Sequence, residues 1–453
     1  MTLKIPRTLE HVFMCFTLWF LLGNPINLIT NGAGGGQIVD VSQANSNFLL
    51  PAISMLLYLI ATIGVLLRWK LILARLRSNP QFLLIVILLL IAYISAGWSF
   101  YPNITSRRTI LLLGSTAVAI YFSLSFSLKQ QLRFLIIALC INTIICVLFG
   151  VLLPKYGVMH LPPHTGAWRG VYSHKNKFGA RMALTTVFLL ATRYSNLFQG
   201  RSKLAINCIM ILSASLVVAS KSTTALFATV VLALLFFACN ALKLNYKSMV
   251  IALSFIIFVV AFGFIYLQTN ADTLLSAFGK GTDLSGRNEI WPALWEMISR
   301  KPFLGYGYQG FWGPDGGPAD LVRQLTGWPV PNAHNGFLEI FLSLGWIGAL
   351  LFLTNFAITL IRSFQLIRLT KTTEAIFPVL FLGFFIISNM TESNLFKQDS
   401  WTLYIWASLV SIQIMSTYAE RKASQFRTTG IDSSYGKVAS YKSPHTESAL
   451  SKR

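Results

Sequence analysis

The sequence predicts an all-α protein, a polytopic transmembrane bundle of about twelve spans with one large outward loop between spans nine and ten. Three observations lead there. Charged residues make up only 11% of the 453-residue chain, where a soluble domain carries roughly 25%. Hydrophobic residues reach 54% and mean hydropathy is +0.61. The apolar residues also gather into runs near the length that crosses about 30 Å of hydrocarbon.

Taken in order, the first ten residues carry Lys4 and Arg7 ahead of an apolar stretch, like the n-region of a signal peptide. No A-x-A site follows Leu22 and many more runs come later, so an uncleaved first helix is expected. The runs lie at 11–30, 48–67, 81–97, 108–126, 132–153, 178–192, 204–219, 223–242, 248–268, 335–361, 376–390 and 400–418. Those at 178–192, 204–219 and 376–390 are the shortest. With the N-terminus in the cytoplasm, alternation puts 23 of the 37 Lys and Arg inside, in agreement with the positive-inside rule. Leaving the tail aside, the split is nearly even, because outward cations gather in two loops, 154–177 and 270–334. Residues 1–418 are thus read as one membrane domain. The Ser/Thr-rich basic tail 419–453 is read as disordered and cytoplasmic.

Composition also excludes chemistry. No Asp or Glu occurs between Asp40 and Asp272, so paired-carboxylate glycosidase chemistry and carboxylate metal cages are ruled out there. The five cysteines sit singly in apolar runs, giving neither a disulfide framework nor a zinc site. No nucleotide-binding loop is present, and no metal, cofactor or nucleic acid is expected. A net charge of +22 implies anionic partners, either membrane lipids or a phosphate-bearing substrate.

The loop 154–177 holds His160, His164, Arg169, His174 and Lys175 with no acid among them. Loop histidines are often merely solvent-facing, which is the plain reading of His160 and His164. Arg169 and the run Ser173-His174-Lys175-Asn176 precede a helix expected to begin near Lys177, whose N-terminal amides also favour an anion. Arg181, four residues on from Lys177, extends that cationic face. In the second loop Gly286-Arg287 leads into a helix starting around Asn288–Trp291, since Pro292 is tolerated only near a helix start. Its Trp291, Leu294, Trp295 and Ile298 recur at helical spacing, as in a helix lying in the membrane interface. The glycine-rich aromatic turn 302–308, with Tyr306, suits close backbone approach or stacking on a sugar ring. The loop closes on Asn332-Ala333-His334-Asn335, with Glu339 one turn into the tenth span. The acids expected near these loops are Asp272, Asp283, Glu289, Glu296, Asp315, Asp320 and Glu339, scattered without ligand spacing.

The segments SGRNEIW, RKPFLGYGYQGFW and NAHNGFLEIFLSLGWIG, in that order after the ninth span, resemble the shared loop of the O-antigen ligase and polymerase superfamily. SHKNKFG is similar to a segment of its exopolysaccharide polymerases. The resemblance covers roughly residues 90–400. It implies a metal-independent membrane glycosyltransferase of the bacterial inner membrane, working on the periplasmic face with both termini in the cytoplasm. The implied partners are a polyprenyl-pyrophosphate-linked oligosaccharide donor and a growing polysaccharide acceptor, with chain-length regulators and export proteins beyond them. Carried over by motif, the family's loop arginine falls on Arg287 and its loop histidine on His334. A second family arginine is replaced by Lys221 in ASKST, and lysine lacks the bidentate fork.

Breaking an anomeric C–O bond builds negative charge on the departing pyrophosphate, which preorganised cations stabilise more in the transition state than in the ground state. Arg287 and Lys221, with Arg169 or Arg181, are the expected cations. His334 is expected to orient or deprotonate the acceptor hydroxyl, with Asn335 or Glu339 behind it. A polymerase of exopolysaccharide or capsule is the leading expectation. A ligase passing the glycan to another acceptor, such as lipid A-core, and a polysaccharide transporter or flippase are the alternatives.

Overall fold

The computed structural model describes residues 6–23, 49–76, 80–162, 164–244, 247–251, 254, 287–327 and 329–411. Most of the expected ninth span 248–268, the second loop from 270 through Gly286, the end of the last span and the tail 419–453 lie outside the described residues.

The described residues form helices and no strand, with one isolated antiparallel bridge between Val158 and Trp168. The main helices are α1 (Arg7–Gly23), α2 (Leu49–Leu67), α3 (Pro80–Ile94), α4 (Pro102–Ser125), α5 (Leu128–Leu152), α6 (Lys175–Arg193) and α7 (Gly200–Ala219). They continue as α8 (Thr223–Ala241), α9 (Arg287–Arg300), α10 (Gly336–Thr370), α11 (Phe377–Thr391) and α12 (398–411). Seven stretches, α2, α4, α5, α7, α8, α10 and Glu374–Thr391, are long and apolar enough to cross a membrane. α3 is only 15 residues long and runs on into a 3-10 turn at Ser95–Gly97. α6 carries Lys175, Lys177, Arg181 and Arg193 in 19 residues. Every expected run coincides at least in part with described helical residues, the run 248–268 only at 248–251 and 254.

Local chemistry sets several boundaries. Pro102 opens α4, where its missing N–H costs nothing. Ser127 and Gln130 close a capping box on α5. The Asn335 side chain accepts from Phe337 N and Leu338 N at the start of α10.

Packing follows small residues and buried polar groups, as expected where lipid removes the hydrophobic drive between helices. α2 lies against α4 with Gly64 under the Tyr121 ring and Gly114 under Tyr58. α6 is held between α7 and α8, and α10 packs on α3. Deep in the bundle Gln81 bonds to Thr359 and Ser408, Asn355 Nδ2 donates to Gln81 O at 2.9 Å, and Tyr404 bonds to Asn355. Trp401 and Trp406 are fully buried, their indole N–H groups donating to Thr116 and Gln131.

The connections fall into two sets at opposite ends of the helices. At one end, called here the site end, loop 154–174, the turn 220–222, residues 287–335 and the turn 392–399 touch one another. At the far end Arg68 pairs with Glu10, Arg133 donates to Leu197 O, and Lys243 donates to Thr373. This grouping follows the alternation of the expected spans.

Candidate functional site

After α5 the chain makes a four-residue helix, Pro154–Gly157, and folds back through the Val158–Trp168 bridge. Gly157 is required there: a Cβ would overlap the Phe149 carbonyl, and Gly157 O receives both Arg169 N and Gly170 N. Arg169 is almost wholly buried, and its Nε donates to Tyr156 O at 2.7 Å. Burial lowers its pKa. The arginine expected to face an anion is thus a brace inside its own loop. His160 is exposed, as its plain reading had it, and its ring stands 3.2 Å from Pro154 O.

The helix expected near Lys177 begins at Lys175. His174 is its cap, with Nδ1 accepting from Asn176 N at 3.2 Å and its ring edge-on to His164. Lys175 therefore lies in the first helical turn, buried, and its Nζ donates to Lys221 O at 3.1 Å. Lys221 is exposed with a left-handed φ of 51°, and the neighbouring Ser222 donates to Asn176 Oδ1 at 3.2 Å. The first loop and the 220–222 turn are thus one unit.

The described part of the second loop has its own core. Ile290, Leu294, Met297 and Ile298 of α9 pack on Tyr306, Phe311, Trp312, Val322, Val330, Leu338 and Leu342. The helix start expected around 288–291 is observed at Arg287, with Pro292 tolerated in the sixth position. The apolar stripe is shifted from the expected one: Trp291 is partly buried, donating to Ala333 O at 3.1 Å, and Trp295 is exposed. Turn 302–308 makes a close backbone approach. Tyr306 N donates to Leu342 O at 2.8 Å and Trp346 N to Pro302 O at 2.7 Å, across a break in α10 where Gly345 adopts φ 61°, ψ −161°. Tyr306 is buried with its hydroxyl on Met297 O at 2.9 Å, so it braces the loop and offers no open ring face to a sugar.

The two units meet around the turn after α11. Arg287 Nη2 donates to Thr391 O at 2.7 Å. His334 Nδ1 stands 3.9 Å from Glu392 Oε2, and Asn176 Nδ2 donates to Glu392 Oε1 at 3.2 Å. One carboxylate therefore joins the histidine of the second loop to the asparagine of the first. His334 has φ 48°, held by its own N–H donating to Asn332 Oδ1 at 3.0 Å. Such backbone in a non-glycine residue costs free energy and persists only where its surroundings enforce it. Burial lowers the His334 pKa, the Arg287 and Lys397 charges lower it further, and Glu392 opposes them. Arg181 is ion-paired with Asp399. Lys397 donates to Asn394 Oδ1 at 2.9 Å, and burial chiefly, with Lys177 adding, pushes its pKa down to about 8.

Glu339 does not stand behind His334 as expected. Both its oxygens accept from Trp312 Nε1 at 3.0 Å, and Oε1 also accepts from Ala333 N at 2.8 Å. Asn335 serves as the cap of α10. The structure thus gathers Arg287, His334, Asn176, Lys175, Lys221 and Arg181 at one end, while Arg169 and Tyr306 face inward. Missing from the expected acids were Glu392 and Asp399, in a turn read only as a connection between apolar runs. The signal was there in outline: three charges, Glu392, Lys397 and Asp399, within eight residues of a chain very poor in acids. Among the described residues no group of three His, Cys, Asp or Glu could hold a metal ion.

Residues 208–353 match the model of the family described as O-antigen ligase. The chain is also similar to the exopolysaccharide production protein ExoQ of Rhizobium meliloti (strain 1021), with 27% identity over 286 residues. That match covers 60% of this chain and 63% of the relative, so the chain spans less than two thirds of that protein's length.

Proposed function

We infer that this chain, a member of the O-antigen ligase-like superfamily near the exopolysaccharide production proteins, is a membrane polysaccharide polymerase. It transfers glycan repeat units from a polyprenyl-pyrophosphate donor to a growing acceptor on the periplasmic face. The observation that carries this reading is the convergence of Arg287, His334 and Asn176 on one turn, 391–392, with Lys221 beside them.

The step is a displacement. The acceptor hydroxyl oxygen attacks the anomeric carbon, the anomeric C–O bond breaks, and its electron pair leaves on the pyrophosphate. Arg287, with Lys221, answers the charge that grows on that leaving group, worth most in a dry site. The hydroxyl proton passes to His334. Burial favours the neutral imidazole, which is the form that accepts a proton, and Glu392 then stabilises the imidazolium. No step calls on a metal ion.

The lipid tail needs a lateral berth. A cavity of about 490 Å³ lies between α1, α2 and α4, with apolar walls including Phe20, Leu50, Met55 and Ile110. Its site end carries Arg107 and Asp399, the latter in the Arg181 pair, so a tail lying there would bring its phosphate end toward the cationic turn. A flippase would instead need charges along its interior for transit through the whole membrane. Here the groups named above gather at one end.

Deletion of the gene followed by sizing of the surface polysaccharide tests the reading. Single repeat units are expected. Long chains left on the lipid carrier would make the protein a ligase, and unchanged polymer would remove it from this step.

A further inference from the structure

Beside His334 lies a second cavity of about 230 Å³ that the displacement does not use. Trp312, Pro331 and Phe396 give it an apolar side, and Gln309 and Asn332 line it with side-chain amides, the Gln309 Nε2 donating to Tyr308 Oη and Phe396 O and the Asn332 Oδ1 accepting from His334 N. Arg108 enters from α4 and Lys397 from the 392–399 turn. The acid in its wall, Glu339, already accepts from Trp312 Nε1 and Ala333 N. The two cations are held differently. Arg108 Nη1 donates to Gln309 O and Lys397 Nζ to Asn394 Oδ1, both neutral acceptors, and neither cation forms an ion pair among the described residues. Gln309 itself adopts a left-handed φ of 50°, tied by its N–H to Ser343 Oγ at 3.2 Å.

Arg108 and Lys397 are half-buried, and the acids near them are already engaged: Glu339 by Trp312 and Ala333, Glu392 by Asn176 and His334, and Asp399 by Arg181. Two cations held only on neutral acceptors away from bulk water favour an anion between them. An indole wall, two amides and two cations in a space of this size match one sugar ring with an acidic group on it. Because Ala333 N–H fastens Glu339, the cavity wall is continuous with the backbone of His334. We propose that this cavity is the acceptor-side subsite, and that it selects a sugar residue bearing a carboxylate, held between Arg108 and Lys397. The proposal rests on the polymerase reading for its word "acceptor", while the selectivity itself is a binding property.

The full-length protein in lipid nanodiscs is titrated with a glucuronic-acid-containing disaccharide and with its carboxyl-reduced neutral counterpart. The acidic sugar is expected to bind at least about tenfold tighter, a difference of about 1.4 kcal/mol. Arg108→Gln and Lys397→Met each bring the two affinities within about twofold, and Lys397→Arg keeps the preference, which separates loss of charge from loss of fold. Arg287→Ala keeps the preference too. Equal binding of both sugars by the wild type, or a preference that survives both neutralisations, overturns the proposal. Inorganic pyrophosphate is the second probe: if it displaces the disaccharide and its binding depends on Lys397 but not on Arg287, the cavity is a phosphate site and the proposal falls. Should Arg287→Ala still build polymer while the sugar preference stands, the polymerase mechanism fails and the subsite remains.

Discussion

Arg287 and Thr391 are 104 positions apart, yet the guanidinium of one donates to the carbonyl of the other, at the C-terminal end of α11. That bond uses one donor and fixes the plane of the fork. A lysine there would keep the charge and lose the paired geometry for phosphate oxygens. Arg287→Ala and Arg287→Lys are therefore both expected to cut polymer formation about 10²-fold or more while protein still reaches the membrane. Radiolabelled repeat-unit incorporation in membranes measures it, and a lysine variant with near-normal rate would show that the fork is not used. Arg287 and His334 were legible because they sit in short motifs with distinctive neighbours. Glu392 was not, because its role comes entirely from tertiary placement: nothing in TESNLFKQD says which loops will lie against it. Arg169 was misread for a related reason, since a loop cation looks the same in sequence whether it faces a ligand or braces a carbonyl.

At the scale of elements, apolar length predicts where helices are and says little about where they break. The run 335–361 contains no proline, and its one irregular residue, Gly345, is an ordinary glycine in sequence. Its φ of 61° with ψ −161° is open essentially only to glycine, and a Cβ would overlap the Phe303 carbonyl. Gly345→Ala is expected to destabilise the protein by about 2 kcal/mol or more, whereas Gly97→Ala, where a Cβ meets nothing within 4 Å, should be close to neutral. Thermal unfolding in detergent compares them, and equal midpoints would contradict the break. The cap of α6 gives a second test. His174 must be neutral for Nδ1 to accept from Asn176 N, and burial first, with His164, Lys175 and Lys177 adding, holds its pKa down to about 4, against the pull of Glu392. The unfolded chain takes up that proton near pH 6.5 and the folded one only near 4, so stability is full above 6.5 and is lost as pH falls through that window. His334, also lowered, acts in the same direction. His174→Asn caps without titrating and should lose less stability between pH 7 and 5 than the wild type. An identical loss would assign the acid sensitivity elsewhere.

At the scale of the whole molecule, the two-ended grouping of connections was legible from the apolar runs, because alternation needs only the number of spans between loops. The side each end faces is a separate proposition. Gly157 is unsuitable for a probe, having no room for a side chain, so His160→Cys and Asp315→Cys serve at the site end. Lys203→Cys and Thr372→Cys serve at the far end, in a background without the exposed Cys208. An impermeant thiol reagent added to spheroplasts is expected to label the first pair and spare the second. Labelling of the second pair with the first pair spared would invert the orientation.

Both site-end units must also act on one ligand if the reading of the reaction is right. Lys221 belongs to the first unit through Lys175 and Thr165, and Arg287 to the second through α9, with Glu392 between the units. Two cations gripping one pyrophosphate are not independent, since removing the first lets the ligand shift and lessens what the second can lose. Binding of a short polyprenyl-pyrophosphate glycan to Lys221→Ala, Arg287→Ala and the double variant should therefore show each single change weakening the donor and the pair costing less than the sum. His334→Ala is the contrast: its partner is the acceptor hydroxyl, so it should keep donor affinity and lose turnover. A strictly additive double variant would mean that the two loops hold different groups. Loss of the donor by His334→Ala as severe as by the cation variants would move the histidine to the phosphate side and leave Glu392 without the imidazolium it is assigned to stabilise.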